Sequence, residues 1–220
     1  MTSLTIENYI KAVYQICARC DKGRATTGEL ADRLGVAPGT VTSMLKTLAD
    51  AGLAVYAPYE GAGLTEAGRL LALRVLRRHR LIELFLATTL ELSWDEVHDE
   101  AEHMEHSVSD LLVDRIDRFL GFPAIDPHGD PIPKADGSLA PLDGLPLARC
   151  ELGAPQRLVR VLDQSSEFLR YLSDIGLSLA TAVRVTARWP EAGVLMVAFN
   201  GRESPIAIAA AEKLLVAAVE

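Results

Sequence analysis

Thr26–Leu53, TTGELADRLGVAPGTVTSMLKTLADAGL, reads as two short helices joined by a tight turn. Thr26 and Glu29 stand at capping-box spacing, and Leu30, Ala31 and Leu34 form an apolar stripe that Gly35 terminates. Pro38 suits the first position of the next helix, where its missing N–H costs nothing. In that helix Val41, Met44, Leu45 and Leu48 recur at i, i+3, i+4 and i+7, so one face is buried. The opposite face carries Gly39, Thr42, Ser43 and Lys46, with Ala37 and Thr40 at its leading end. Small and hydrogen-bonding side chains let a helix enter a major groove, and a lysine there reaches a phosphate. Ala37, Gly39, Thr40, Thr42, Ser43 and Lys46 are the candidate DNA-contacting residues. A helical corner of this kind also occurs in proteins that never touch DNA, so its flanks decide the reading.

Downstream, GLAVYAPYEGAGLTEAG (residues 52–68) gives two short apolar strands flanking Glu60–Gly63, the expected hairpin wing of a winged helix. Thr65 is placed to cap a long helix on which Arg69, Arg74, Arg77 and Arg78 are expected to be exposed and to add positive charge. The net charge of -8 is unevenly spread. Residues 1–80 hold 11 Lys/Arg against 7 Asp/Glu, whereas residues 81–140 hold 3 against 14. A basic end followed by an acidic block suits a chain that meets a polyanion with one part and a cation with another.

The acidic block contains HDEAEHMEH, residues 98–106. At 100° per residue His98, Glu102, Glu105 and His106 fall at about 0°, 40°, -20° and 80°, one strip of a helix. His79 and Glu83 form a further i, i+4 pair near the end of the preceding long helix. Imidazole and carboxylate at helical spacing suit a first-row divalent ion. A solvated acidic helix would account for the carboxylates but not for histidines interleaved on the same strip. His103 falls off the strip and is expected at the surface; His128 receives no role. Cys17 and Cys20 make a lone CxxC, read as ordinary thiols, and three cysteines in all are no disulfide framework.

Residues 122–146 carry six prolines, a composition without a core. Beyond them, RLVRVL, TAVRVTARW and GVLMVAF are strand-like runs with turn residues between. The expected fold is mainly α with small β parts. Its domains are a winged helix-turn-helix DNA-binding domain (1–73), a helical metal-binding and dimerisation domain (74–140), a linker (141–149) and an SH3-like β module (150–220). No apolar run approaches the ~18 residues of a membrane span, and the polar N-terminus has no secretory signature. A cytoplasmic protein with no membrane partner is expected.

The wing segment, RRHRLIELFL, VHDEAEHMEH and GDPIP together resemble the diphtheria-toxin-repressor family of iron- and manganese-dependent regulators, closely over residues 5–135 and loosely over 150–220. The resemblance implies two cation sites per chain. His79, Glu83 and His98 fall on the ancillary positions; Glu102, Glu105 and His106 fall on the primary ones, joined by the first-helix position Asn8. There the family usually has methionine or aspartate, and Glu7 or water are alternatives. Lys11 stands where manganese-type members carry a carboxylate and cannot coordinate while charged. Glu102 stands where iron-type members have cysteine, which favours Mn2+ over Fe2+. The C-terminal module can reach back to the ancillary site in this family, with Asp163, Gln164 and Glu167 near that place and Asp163 and Glu167 the candidate ligands.

The function expected is a Mn2+- or Fe2+-dependent DNA-binding regulator, not an enzyme: a repressor of metal-uptake genes that binds operator DNA as a homodimer. Leu111, Leu112, Ile116, Phe119 and Leu120 offer the dimer an apolar surface. A metallohydrolase is the alternative from another class, though no separate nucleophile or substrate pocket is evident. A DNA-binding regulator with a non-metal ligand is the third reading.

Overall fold

The computed structural model describes residues 4–18, 23–141 and 144–219. It divides into two compact units, Met1–His79 with Pro133–Ser138, and Arg80–Ile132 with Leu139–Glu220.

The first unit contains α1 (Leu4–Cys17), α2 (Thr27–Leu34), α3 (Pro38–Asp50), the hairpin β1 (Ala54–Ala57) and β2 (Gly61–Leu64), and the start of α4 (Glu66–Thr89). Its core gathers Ile10, Val13, Leu30, Val41, Leu45 and Leu48, all fully buried, each stabilising the unit by about 1.5–3 kcal/mol. The capping box closes as spaced: Glu29 N–H donates to Thr26 Oγ1 (3.2 Å), and Thr26 N–H returns to Glu29 Oε2 (2.8 Å). Gly35 ends α2 in the left-handed region at φ +64°. Thr65 caps α4, accepting from Gly68 N–H at 3.1 Å.

The hairpin departs from expectation. Its turn is Pro58–Glu60, with Tyr59 at φ 68°, and Gly61–Gly63 lie inside the second strand. The reason is a close approach. Ala62 exchanges two 2.8 Å backbone hydrogen bonds with Ala25, and a Cβ on Gly61 would stand 2.6 Å from the Ala25 carbonyl oxygen. Gly61 admits a neighbouring backbone rather than making the turn. The arginines of α4 are also not all exposed. Arg74 is, but Arg77 is buried, Arg78 lies 3.6 Å from Glu7 with both side chains nearly buried, and Arg69 is paired with Glu66 at 2.7 Å. A 24-residue helix in a small protein buries most of its circumference, so positive charge on it does not imply a basic surface.

The second unit holds the rest of α4, α5 (Val97–Met104), α6 (Asp110–Phe119) and a six-stranded antiparallel sheet. The strands are β3 (Leu145–Pro146), β4 (Gln156–Val161), β5 (Ala182–Trp189), β6 (Val194–Phe199), β7 (Arg202–Ala207) and β8 (Leu214–Ala218), in the order β3-β8-β4-β5-β6-β7. This is the SH3-like β module. Leu158, Val161, Val183, Val185, Leu195 and Val197 pack with Leu169 and Leu172 of α7 (Ser166–Asp174), and α8 (Ile208–Ala211) precedes the last strand.

Residues 144–149 of the expected linker are not a plain tether. Leu145 and Pro146 pair with Val216 and Leu215, and Leu147 is buried in the sheet's core. Nor is the β module held only by a tether, because it belongs to one compact unit with α5 and α6. Trp94 packs on the module's core and donates to Ser173 Oγ at 2.8 Å, while Arg170 meets Asp95 at 2.9 Å. Cys17 is half-buried and Cys150 buried; Cys20 lies outside the described residues. Among the described residues no helix is long and apolar enough to cross a membrane.

Candidate metal centre and nucleic-acid face

On α3 the inner positions Val41, Leu45 and Leu48 are sealed, which leaves the opposite face outward. Ala37, Gly39, Thr40, Ser43 and Lys46 are exposed and Thr42 is half-buried, its hydroxyl donating to the Pro38 carbonyl at 3.1 Å. A Cβ at Gly39 would meet nothing within 4 Å. Nothing inside the protein therefore demands glycine there, whereas an external surface approaching closely would.

The acid–imidazole cluster is built on α4 and α5. Glu83, fully buried on α4, presents Oε1 to His98 Nδ1 at 3.0 Å. Helix α4 runs unbroken through residue 79, so buried His79 stands one turn before Glu83. Glu105 is also fully buried, with Oε1 3.2 Å from His106 Nε2, and Glu102 is half-buried on α5. The strip is not one continuous helix. α5 ends at Met104, and Ser107 N–H bonds back to the Met104 carbonyl, so Glu105 and His106 project from a turn. His103 is exposed.

On α1, Asn8 Oδ1 is sealed from solvent and accepts no hydrogen bond among the described residues. Glu7 is engaged by Arg78. Buried Lys11 brings its Nζ to 3.4 Å from His79 Nδ1, the arrangement of a lysine donating to an unprotonated ring nitrogen. Within the second unit, two buried carboxylates, Glu83 and Glu105, each beside an imidazole, offer oxygen and nitrogen donors of the kind that fits manganese or ferrous iron.

Asp163 and Glu167 join none of the ligand groups among the described residues. Partial burial raises the Asp163 carboxyl, but hydrogen bonds from Lys213 (2.7 Å) and Ser165 N–H (3.0 Å) outweigh it and hold the group below the usual range. Glu167 is exposed on α7. Gln164 does reach inward, donating to Asp130 Oδ2 at 3.1 Å.

What sequence reading missed is the loop Asp126–Asp130, which lies between α4 and β4. Asp130 accepts from Arg80 at 3.0 Å and pairs with Arg160; Asp126 lies 3.6 Å from Arg80. Asp126 Oδ1 accepts from His128 N–H (2.8 Å) and Asp130 N–H (2.9 Å), which shapes the loop. Burial, then the Glu83 and Asp130 carboxylates, push the Asp126 carboxyl well above its ordinary range despite Arg80. A Cβ at Gly129 would stand 2.1 Å from the Val159 carbonyl oxygen, so only glycine lets the loop lie against β4. The signal available in the sequence was the fifth histidine set among aspartates, next to GDPIP.

Three family models match the chain. Residues 1–62 match the N-terminal DNA-binding domain of iron-dependent repressors. Residues 65–134 match their metal-binding and dimerisation domain, and residues 145–218 match the FeoA domain. The chain is 28% identical over 212 residues to the iron-dependent repressor IdeR of Mycobacterium tuberculosis, covering 91% of this chain and 90% of that one. It is 32% identical over 122 residues to the transcriptional regulator MntR of Bacillus pumilus, covering 56% of this chain and 83% of the relative. Among solved structures, a manganese-dependent transcriptional repressor in complex with manganese superposes with TM-score 0.90 at 39% identity, over 97% of this chain and all of the other.

Proposed function

Because the chain belongs to the diphtheria-toxin-repressor family of metal-dependent transcriptional regulators, we propose that it is a cytoplasmic repressor of metal-uptake genes, activated by Mn2+ or Fe2+. The observation that carries the reading is the burial of Glu83 and Glu105, each against a histidine, in a chain that also turns a small, polar helix face outward. Imidazole nitrogen and carboxylate oxygen held side by side out of bulk water are donors that suit a first-row divalent cation.

His79, Glu83 and His98 hold one ion. Glu102, Glu105 and His106 hold the other, completed by Asn8 Oδ1 from α1. Glu7 is the poorer candidate for that last place, since Arg78 already engages it. Glu102 offers carboxylate oxygen where a thiolate would favour zinc and iron, so manganese is the preferred activator. The cation favours DNA binding only by its tighter affinity for the arrangement that binds DNA. In that arrangement Gly39, Thr40 and Ser43 approach base edges, while Ala37, Thr42 and Lys46 line the phosphate side. The apolar patch of α6 joins two copies, so that two α3 helices meet half-sites of one operator.

Neither a metallohydrolase nor a regulator with a non-metal ligand is favoured by the relatives described above. The test is a mobility-shift titration of chelator-treated protein, using duplex selected from random sequence, with Mn2+, anaerobic Fe2+ and Zn2+. Manganese retards the duplex at concentrations comparable to or below those needed for ferrous iron, and Glu102→Cys moves the preference towards iron and zinc. Retardation independent of all three metals, or activation by ferrous iron at far lower concentration, would overturn the proposal.

A further inference from the structure

Helix α1 buries five consecutive residues, Tyr9–Val13, and the middle one is a lysine. Lys11 is 7% exposed and His79, on α4, 4%. An ammonium is costly to remove from water unless acceptors take its hydrogens. One acceptor within reach of Nζ is His79 Nδ1, at 3.4 Å. Both residues belong to the first unit. An ammonium has three hydrogens and no lone pair, so in this contact Lys11 donates and Nδ1 accepts. A ring that accepts at Nδ1 carries its own hydrogen on Nε2.

This arrangement leaves neither nitrogen of His79 ready for a metal. An ion bound at Nδ1 sits about 2 Å from it, on the lone pair that Lys11 now uses. An ion bound at Nε2 needs the lone pair there, so the ring hydrogen moves to Nδ1 and opposes the ammonium, donor against donor. Either way Lys11 must give up its place. The exchange balances. Lys11 keeps its three hydrogens and swings away on its flexible four-carbon stem, and the imidazole gives its one lone pair to the ion instead.

We propose that Lys11 is a tethered competitor for the ion that His79 helps to hold. It occupies the imidazole of the metal-free chain and sets how much free cation is needed to displace it. The inference rests on reading His79 as a metal ligand. Metal entry exchanges a contact between α1 and α4 for a metal bond, so the chain binds its ion more weakly than the ligand set alone would. A hydrogen bond from a charged group shifts an equilibrium by about tenfold or more. At 3.4 Å this one is long, which places the expected effect at the lower end, about tenfold.

The test compares Mn2+ isotherms of chelator-treated full-length protein, taken from the free-ion electron paramagnetic resonance signal. The proteins are wild type, Lys11→Met, His79→Ala and the double variant, each checked for native circular dichroism. Should the methionine variant not fold, Lys11→Gln, which keeps only a neutral donor, takes its place. Lys11→Met is expected to bind Mn2+ about tenfold tighter in the step that His79→Ala weakens, and to change nothing once His79 is alanine. In 15N spectra of the metal-free wild type, His79 carries its hydrogen on Nε2 and none on Nδ1. Equal tightening with and without His79 overturns the proposal, because Lys11 would then act only through its field. No tightening, or a hydrogen on His79 Nδ1, overturns it as well, and if His79→Ala still weakens binding the ligand reading stands. An isotherm unchanged by His79→Ala overturns that reading of His79, and the competitor with it.

Discussion

Replacing Asp130 by alanine removes the anion on which Arg80, Arg160 and Gln164 converge. Asp130 is 6% exposed and Arg80 8%, so both guanidiniums are left largely shielded from water without their carboxylate. Breaking a buried ion pair from one side costs about 3–5 kcal/mol, because the remaining charge is uncompensated. Asp126, 3.6 Å from Arg80, recovers part of this and places the expectation near the lower end, at about 3 kcal/mol. With a urea dependence of roughly 2 kcal/mol per molar, the midpoint falls by ~1.5 M. Both tryptophans, Trp94 and Trp189, belong to the second unit, so fluorescence excited selectively through tryptophan follows that unit alone. Removing a second charge, in Asp130→Ala with Arg160→Met, restores part of the loss, since fewer charges then remain buried and unmatched. A midpoint drop below about 0.5 M in Asp130→Ala would refute the claim that this network is buried and structural.

Lys46→Ala weakens binding to all duplexes alike and lowers the salt dependence by about one counterion, whereas Ser43→Ala changes base preference at one position; mobility shifts over a salt series separate the two. Leu111, 70% exposed on α6, is expected in the dimer contact with Phe119 and Leu112, so Leu111→Asp yields a folded monomer by sedimentation equilibrium. Gly68→Ala puts a Cβ 1.9 Å from the Leu53 carbonyl oxygen and destabilises the first unit by about 1–3 kcal/mol, seen as faster hydrogen exchange in α3 and the hairpin.

The helix-turn-helix was legible because its signals are local. A cap, an apolar stripe and a stop residue lie within a few positions of one another, and each is a backbone requirement. The i, i+4 placement of His79 and Glu83 on α4 is local in the same way, but the strip from His98 to His106 was read as one helix, whereas α5 ends at Met104 and Glu105 and His106 stand on a turn. Three features were not legible. Gly61 answers to Ala25, 36 residues earlier in the chain, so a turn reading of Gly61 mistook a packing need for a bend. Arg77 and Arg78 were read by charge alone, while Glu7 and a crowded helix decide their burial. The roles of Asp126 and His128 depend on a proline-rich loop lying against α4 and β4. That proximity has no periodicity to announce it.

The central claim is that cation and DNA bind one and the same arrangement of the chain, so each must raise the affinity for the other by an equal factor. The most direct measurement is Mn2+ affinity of the full-length protein by titration calorimetry, alone and saturated with its selected duplex, beside duplex affinity with and without Mn2+. The account predicts tighter manganese binding on DNA, by the same factor by which manganese tightens DNA binding, and loss of both effects in His106→Ala. Manganese affinity indifferent to the duplex would contradict it.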